Sequence, residues 1–82
     1  MAKSEISLIK KSQLFDDKWY RLTYADIENS TLKPIEHYLL HGWREGRDPS
    51  ADFKTQEYIQ LRPDVALAGV CPLVHYLLEK QK

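Results

Sequence analysis

His37 and His41 stand four residues apart in a stretch with helical spacing, so their imidazoles can share one face. Zinc needs about four ligands, and two imidazoles supply only half of that set. The single cysteine, Cys71, is remote from the pair in sequence. Cys71 directly precedes Pro72, close to an expected helix start, a setting that lowers a thiol pKa. No partner base stands at a recognisable spacing from it, so a catalytic thiol is not expected. Asp26 and Asp64 are lone carboxylates in turn-like segments, where such groups cap backbone N–H donors. General acid–base work would require a second group held close to the reacting proton. Trp19, Tyr20, Trp43 and Tyr58 could stack on sugar rings, yet aromatics at helical spacing more often form core. Trp19 and Trp43 are expected to supply much of the buried area. Arg44, Arg47 and Arg62 carry guanidinium forks suited to phosphate or carboxylate. Glu45 and Asp48 intersperse them and favour a solvated, ion-paired surface. There is no Gly-rich phosphate loop, no His-Glu-x-x-His and no nucleophile elbow. The residues therefore predict no catalytic, cofactor-binding or metal-ligating set, and the chain is not expected to be an enzyme. Trp19, Trp43, Arg44, Arg47 and Arg62 stay as candidate contacts to a ligand or partner.

The elements that position these residues come from an internal duplication. Sliding the chain against itself by 38 residues brings Phe15 onto Phe53, Tyr20 onto Tyr58, Asp26 onto Asp64 and Pro34 onto Pro72. In the same register His37-Tyr38-Leu39-Leu40 meets His75-Tyr76-Leu77-Leu78, and Ile27 and Ile35 meet Val65 and Leu73. Repeated units of this size bury their faces on one another. Each unit opens on Phe, continues into an aromatic-bearing helix (17–24, then 55–61), turns at Asp, and starts a second helix at Pro. Proline suits a first helical turn because it lacks the N–H that would be unpaired there. In the helix from Pro34 to Trp43, Ile35, Tyr38, Leu39 and Trp43 form one apolar face. Gly42 and Gly46 act as stop signals, and Asp48-Pro49-Ser50 reads as the linker between units. Pro63 is expected to open a helical turn that Gly69 closes, whereas the polar stretch 25–31 predicts a looser loop. Ser4 is a candidate cap for a short N-terminal helix carrying Ile6 and Ile9, with Leu8 and Leu14 also buried. His37 and His75, at matched positions, are expected to pack or hydrogen-bond within the fold.

These residues carry a resemblance. Phe15-Asp16-x-x-Trp19-Tyr20, His37-Tyr38-Leu39-x-x-Gly42-Trp43-x-Glu45-Gly46-Arg47-x-Pro49-Ser50 and Pro63-Asp64-Val65-Ala66-x-Ala68-Gly69 resemble a tandem bacterial repeat, roughly FDxxWYLxxNPDVAxAGxxPLxHYLxxGWxEGRxPS. That repeat is associated with accessory segments of bacterial glycosyltransferases and other surface-polysaccharide synthesis proteins. The resemblance covers about Ile6 to Leu78. It implies a cytoplasmic helical module that accompanies an enzyme and is not itself the transferase. The Asn-Pro-Asp-Val-Ala segment is degraded in the first copy. The second copy stops at Glu79-Lys80-Gln81-Lys82 without the Gly-Trp-x-Glu-Gly-Arg continuation, so one full unit and one shortened unit are expected.

Composition sets the outer bounds. With 82 residues the chain suits one domain, and a domain near this size buries only about 60% of its unfolded surface. Hydrophobic residues at 43% and charged residues at 29% argue against disorder. Twelve basic residues balance twelve acidic ones, so no strong field steers nucleic acid or an anionic membrane to the chain. One cysteine allows no internal disulfide. The apolar stretch Ile6–Ile9 is no signal-peptide core, and no run approaches the roughly 20 residues of a membrane span. The default address is the cytoplasm. The expected fold is all-α, with about five short helices: a small domain over 1–82, made of a short N-terminal helix (1–14), a first 38-residue helix-turn-helix repeat (15–52) and a shortened second repeat (53–82). The expected role is a non-catalytic protein-interaction or scaffolding module associated with bacterial surface-glycan synthesis. Its partner would be a protein, such as a glycosyltransferase, or a second copy meeting apolar surface at Leu77 and Leu78. The alternatives are a small glycan-binding domain using exposed aromatics, and a small nucleic-acid-binding helical protein, which the balanced charge disfavours. No cofactor is expected.

Overall fold

Two prolines in the same register, Pro34 and Pro72, each open a helix whose first turn needs no N–H from that position. A computed structural model describes residues 2–81, with side chains from residue 4 to residue 81. Met1 and Lys82, the outer limits of the expected domain, lie outside the described residues. The fold is all-α. In chain order, α1 spans Ala2–Ser12, α2 Asp17–Thr23, a 3-10 helix Ala25–Asn29, α3 Pro34–His37, a π-helical turn Tyr38–Gly42, α4 Thr55–Leu61, α5 Pro63–Leu67 and α6 Pro72–Lys80. Among the described residues no strand forms. One isolated antiparallel bridge joins Ser50 and Phe53.

Helix α1 packs along α6 and buries Ile9 completely. Ser4 lies inside α1, not at its N-cap, because the helix already runs from Ala2. At its other end Gln13 adopts φ 62°, the left-handed residue that ends many helices, while the Ser12 hydroxyl donates to the Ile9 carbonyl at 2.6 Å. The expected 1–14 helix therefore stops two residues early. At α2, Asp16 is a true N-cap: its carboxylate accepts from the Trp19 N–H at 2.9 Å. The stretch 25–31 is not the expected loose loop. Ile27, 4% exposed, anchors it in the core, and Ala25–Asn29 tightens into the 3-10 helix.

The helix begun at Pro34 changes pitch at Tyr38. The Trp43 N–H reaches back five residues to the Tyr38 carbonyl at 3.1 Å. The Leu39 carbonyl, which that N–H would take in an α-helix, instead accepts the Trp43 indole N–H at 3.1 Å. A side chain thus supplies the bond that the widened turn gives up. Gly42 ends this turn as a buried residue, and Gly46 (φ 82°) makes the reversal that follows. The linker then ties both halves together. The Asp16 N–H donates to the Pro49 carbonyl at 3.0 Å, and the Asp48 N–H donates to the Tyr24 hydroxyl at 2.8 Å. The Asp48 carboxylate reaches forward to the Thr55 N–H at 2.9 Å, serving the first turn of α4 from seven residues away.

The core gathers Ile9, Tyr20, Ile35, Tyr38, Leu39, Trp43, Phe53, Leu73, Val74 and Leu77. Its aromatic contacts recur at the 38-residue offset. Phe15 and Tyr20 lie 5.2 Å apart, Phe53 and Tyr58 5.7 Å. Tyr20 meets Tyr38 edge-on at 6.1 Å, and Tyr58 meets Tyr76 edge-on at 6.0 Å. Helices α2 and α4 occupy matched positions, as do the 3-10 helix and α5. The radius of gyration is 11.9 Å, close to the roughly 12 Å of a folded chain this long.

Candidate interaction site

Each unit holds the same polar pair inside its aromatic cluster. The Tyr20 hydroxyl and His37 Nδ1 share a hydrogen bond of 3.0 Å, and Tyr58 and His75 Nδ1 share one of 2.6 Å. The matched histidines are therefore hydrogen-bonded within the fold. Tyr20 is fully buried, and burial raises its phenol well above the usual range despite the nearby Arg47 charge. It is a neutral donor and acceptor at physiological pH. Tyr38 is also fully buried, and its hydroxyl shares a 2.8 Å bond with the Thr55 hydroxyl.

Arg47 is the hub of the first unit's surface. Its guanidinium makes a two-pronged contact to the Asp26 carboxylate at 3.0 and 2.8 Å, meets Glu45 at 3.0 Å and stacks over the Tyr24 ring at 4.8 Å. Asp26 is thus an arginine partner and not the helix cap expected from its turn. This hydrogen bonding holds its carboxyl below the ordinary value. In the second unit Asp64 pairs with Arg62, two residues before it, at 3.2 Å on an exposed surface, and its carboxyl is likewise held low. Tyr24 has Arg62 as its counterpart, so the ring on which Arg47 lies has no aromatic equivalent at that position of the second unit.

The candidate contact residues do not converge on one site. Trp43 is 4% exposed, with its indole N–H satisfied and the Arg44 guanidinium 4.5 Å over its ring. Trp19 is half-buried, edge-on to Tyr24 at 6.2 Å. A sugar-stacking reading is left with Trp19 and without an open Trp43 face. His41 lies 5.8 Å from His37, ring centre to ring centre. Among the described residues no group of three or more His, Cys, Asp or Glu side chains is placed to hold a metal ion. Cys71 does cap the start of α6 in sequence, but the expected lowering of its pKa is reversed. The thiol is 5% exposed, and burial pushes it up to about 11, outweighing the α6 backbone N–H groups. Leu77 and Leu78 also part company: Leu77 is buried in the core with Ile9 of α1, and Leu78 is 47% exposed. Among the described residues no helix is long and apolar enough to cross a membrane.

Sequence reasoning placed Asp48 in the linker without its bonding partners and gave Tyr24 and Thr55 no role, yet these three residues hold the linker in place. Their partners lie 24, 7 and 17 residues away, beyond the reach of any local pattern. Comparison of the chain with family models, with curated proteins and with solved structures finds no match.

The His37 environment sets a pH dependence. Burial, aided by the Arg47 charge, lowers its pKa below the ordinary 6.5. The unfolded chain then binds this proton more readily than the folded one. The contribution to stability is present above about pH 6.5 and is lost as pH falls below that value. Thermal melting from pH 8 to pH 5 should therefore show a falling midpoint, and the His37→Gln variant should show a flatter profile. An unchanged slope in the variant would assign the pH dependence elsewhere.

Proposed function

We propose that this chain is a non-catalytic protein-interaction or scaffolding module associated with bacterial surface-glycan synthesis. The observation that carries the reading is the contrast between its polar and apolar groups. The side chains with chemical potential face inward or face each other, as Tyr20–His37, Tyr58–His75 and Asp26–Arg47. One leucine on each of three helices faces outward, Leu22 at 75%, Leu61 at 80% and Leu67 at 88% exposure. Apolar surface of that kind is the material of protein contacts. The glycan context comes from the repeat that the sequence resembles.

Sedimentation equilibrium tests the reading. The chain is measured alone and mixed with the catalytic domain of a bacterial surface-polysaccharide glycosyltransferase. A complex is expected, and it should weaken when Leu61→Lys and Leu67→Lys are combined. A chain that stays monomeric alone and in the mixture would defeat the proposal.

A further inference from the structure

Tyr20 and its counterpart Tyr58 bond a histidine Nδ1 in the same way, but the two hydroxyls have different surroundings. The Tyr20 hydroxyl is enclosed. Its residue is fully buried, Gly42 is packed against the oxygen, and the Arg47 guanidinium acts on the phenol through charge and hydrogen bonding. An arginine only donates, so the Tyr20 oxygen accepts from Arg47 and passes its single proton to His37 Nδ1. His37 is then a neutral imidazole with its own proton on Nε2. The titratable and charged groups around it are Tyr20 from α2, Asp26 from the 3-10 helix, His41 from its own helical run, and Glu45 and Arg47 from the reversal after the π-helical turn. In the second unit Tyr58 is half-buried, so water can take its proton. Glu79 lies 3.9 Å from His75 Nε2, placed to pair with an imidazolium.

We propose that the Tyr20–His37 bond is an acid-sensitive latch: protonation of His37 releases the turn at residues 44–49 from the first unit and leaves the second unit closed. An imidazolium donates from both nitrogens. The Tyr20 oxygen would then face two cationic donors, and its own proton would lack an acceptor in a site that water does not reach. Moving Arg47 away relieves both conflicts. Arg47 is also what fastens the turn, through Asp26 at 2.8 Å, Glu45 at 3.0 Å and the Tyr24 ring at 4.8 Å. The imidazolium competes with it for the same two carboxylates. Once Arg47 leaves the Tyr24 ring, the bond from the Asp48 N–H to the Tyr24 hydroxyl loses its support. The sign follows from the closed state, in which burial and the Arg47 charge hold the His37 pKa below 6.5. The open turn returns it to the ordinary value, so opening is favoured as pH falls below about 6.5, and one proton can raise the open population at pH 5 by at most about thirtyfold.

The test is residue-resolved amide exchange by NMR at pH 7.5 and pH 5, corrected for intrinsic chemical rates. The reporters are the Arg47 and Asp48 amides, bonded to the Gly42 carbonyl and the Tyr24 hydroxyl. Their opening should rise about three- to thirtyfold at pH 5, while the Tyr58 and His75 amides change by less than about twofold. His37→Gln keeps an acceptor for Tyr20 and removes the titration, so the response should vanish. His41→Gln and His75→Gln should retain it. Imidazole nitrogen shifts of the parent at pH 7.5 should show His37 protonated on Nε2, a readout that holds even if the His37 variant folds poorly. Unchanged opening at Arg47 and Asp48, equal opening at Tyr58 and His75, a response that survives His37→Gln, or a His37 proton on Nδ1 would each overturn the latch.

Discussion

Replacing Leu73 with Ala is expected to leave the domain at the edge of unfolding. Leu73 is fully buried on the first turn of α6, within the cluster that joins Ile9 of α1 to Tyr20 and Tyr38 of the first unit. Truncating a leucine in such a site costs about 2–5 kcal/mol, because the neighbours close only part of the space. A single core of this size rarely supplies more than about 3–5 kcal/mol in total. The variant should melt at least about 10 °C below the parent, and its urea midpoint should fall steeply, both followed by far-UV circular dichroism. Leu78→Ala is the matched control. Leu78 is 47% exposed on the same helix, and its loss should stay within about 0.5 kcal/mol. If the two variants melted together, α6 would not face the core as described.

The contrast between Leu73 and Leu78 also measures what the sequence can convey. Features set by neighbouring residues were legible: the prolines at the starts of α3 and α6, the turn closed by Gly69, and the His-Tyr-Leu-Leu string that puts Tyr38 and Leu39 inside. Features set by distant partners were not. Asp26 reads locally as a cap, and Arg47, 21 residues on, claims it. Cys71 reads as a thiol activated by a helix start, but burial under the aromatic core decides its pKa in the other direction. Leu77 reads as a free apolar end, and α1 covers it from the opposite end of the chain. The candidate site follows the same division. Its paired groups, Tyr20 with His37 and Tyr58 with His75, were visible as repeated residue types. That Tyr20 and Tyr38 are fully buried while Tyr58 and Tyr76 are half-buried depends on where residues 42–55 run, which no spacing states.

The π-helical turn is the sharpest case, and Gly42→Ala is the prediction that isolates its cause. Gly42 has no unusual φ, so backbone strain is not the issue. The difficulty is space: an added Cβ would overlap the Tyr20 hydroxyl, with Tyr38 Cδ1 at 3.4 Å and His37 Nδ1 at 3.5 Å closing the other sides. The Tyr20 ring cannot retreat, since it is fully buried and its hydroxyl is bonded to His37. Overpacking of this kind costs about 1–3 kcal/mol. The second unit frames the argument. Lys80 stands at the counterpart of Gly42, and there α6 keeps α-helical pitch to its end with Lys80 exposed. A side chain is tolerated at that position where no widened turn presses it on the tyrosine. Removing the hydroxyl should therefore relieve the clash. In a Tyr20→Phe background, Gly42→Ala should cost clearly less than in the parent, a coupling of about 1 kcal/mol or more between residues in direct contact. Four chemical denaturation curves complete the cycle. Equal costs in both backgrounds would mean that the tyrosine hydroxyl does not dictate glycine at position 42, and that the turn itself demands it.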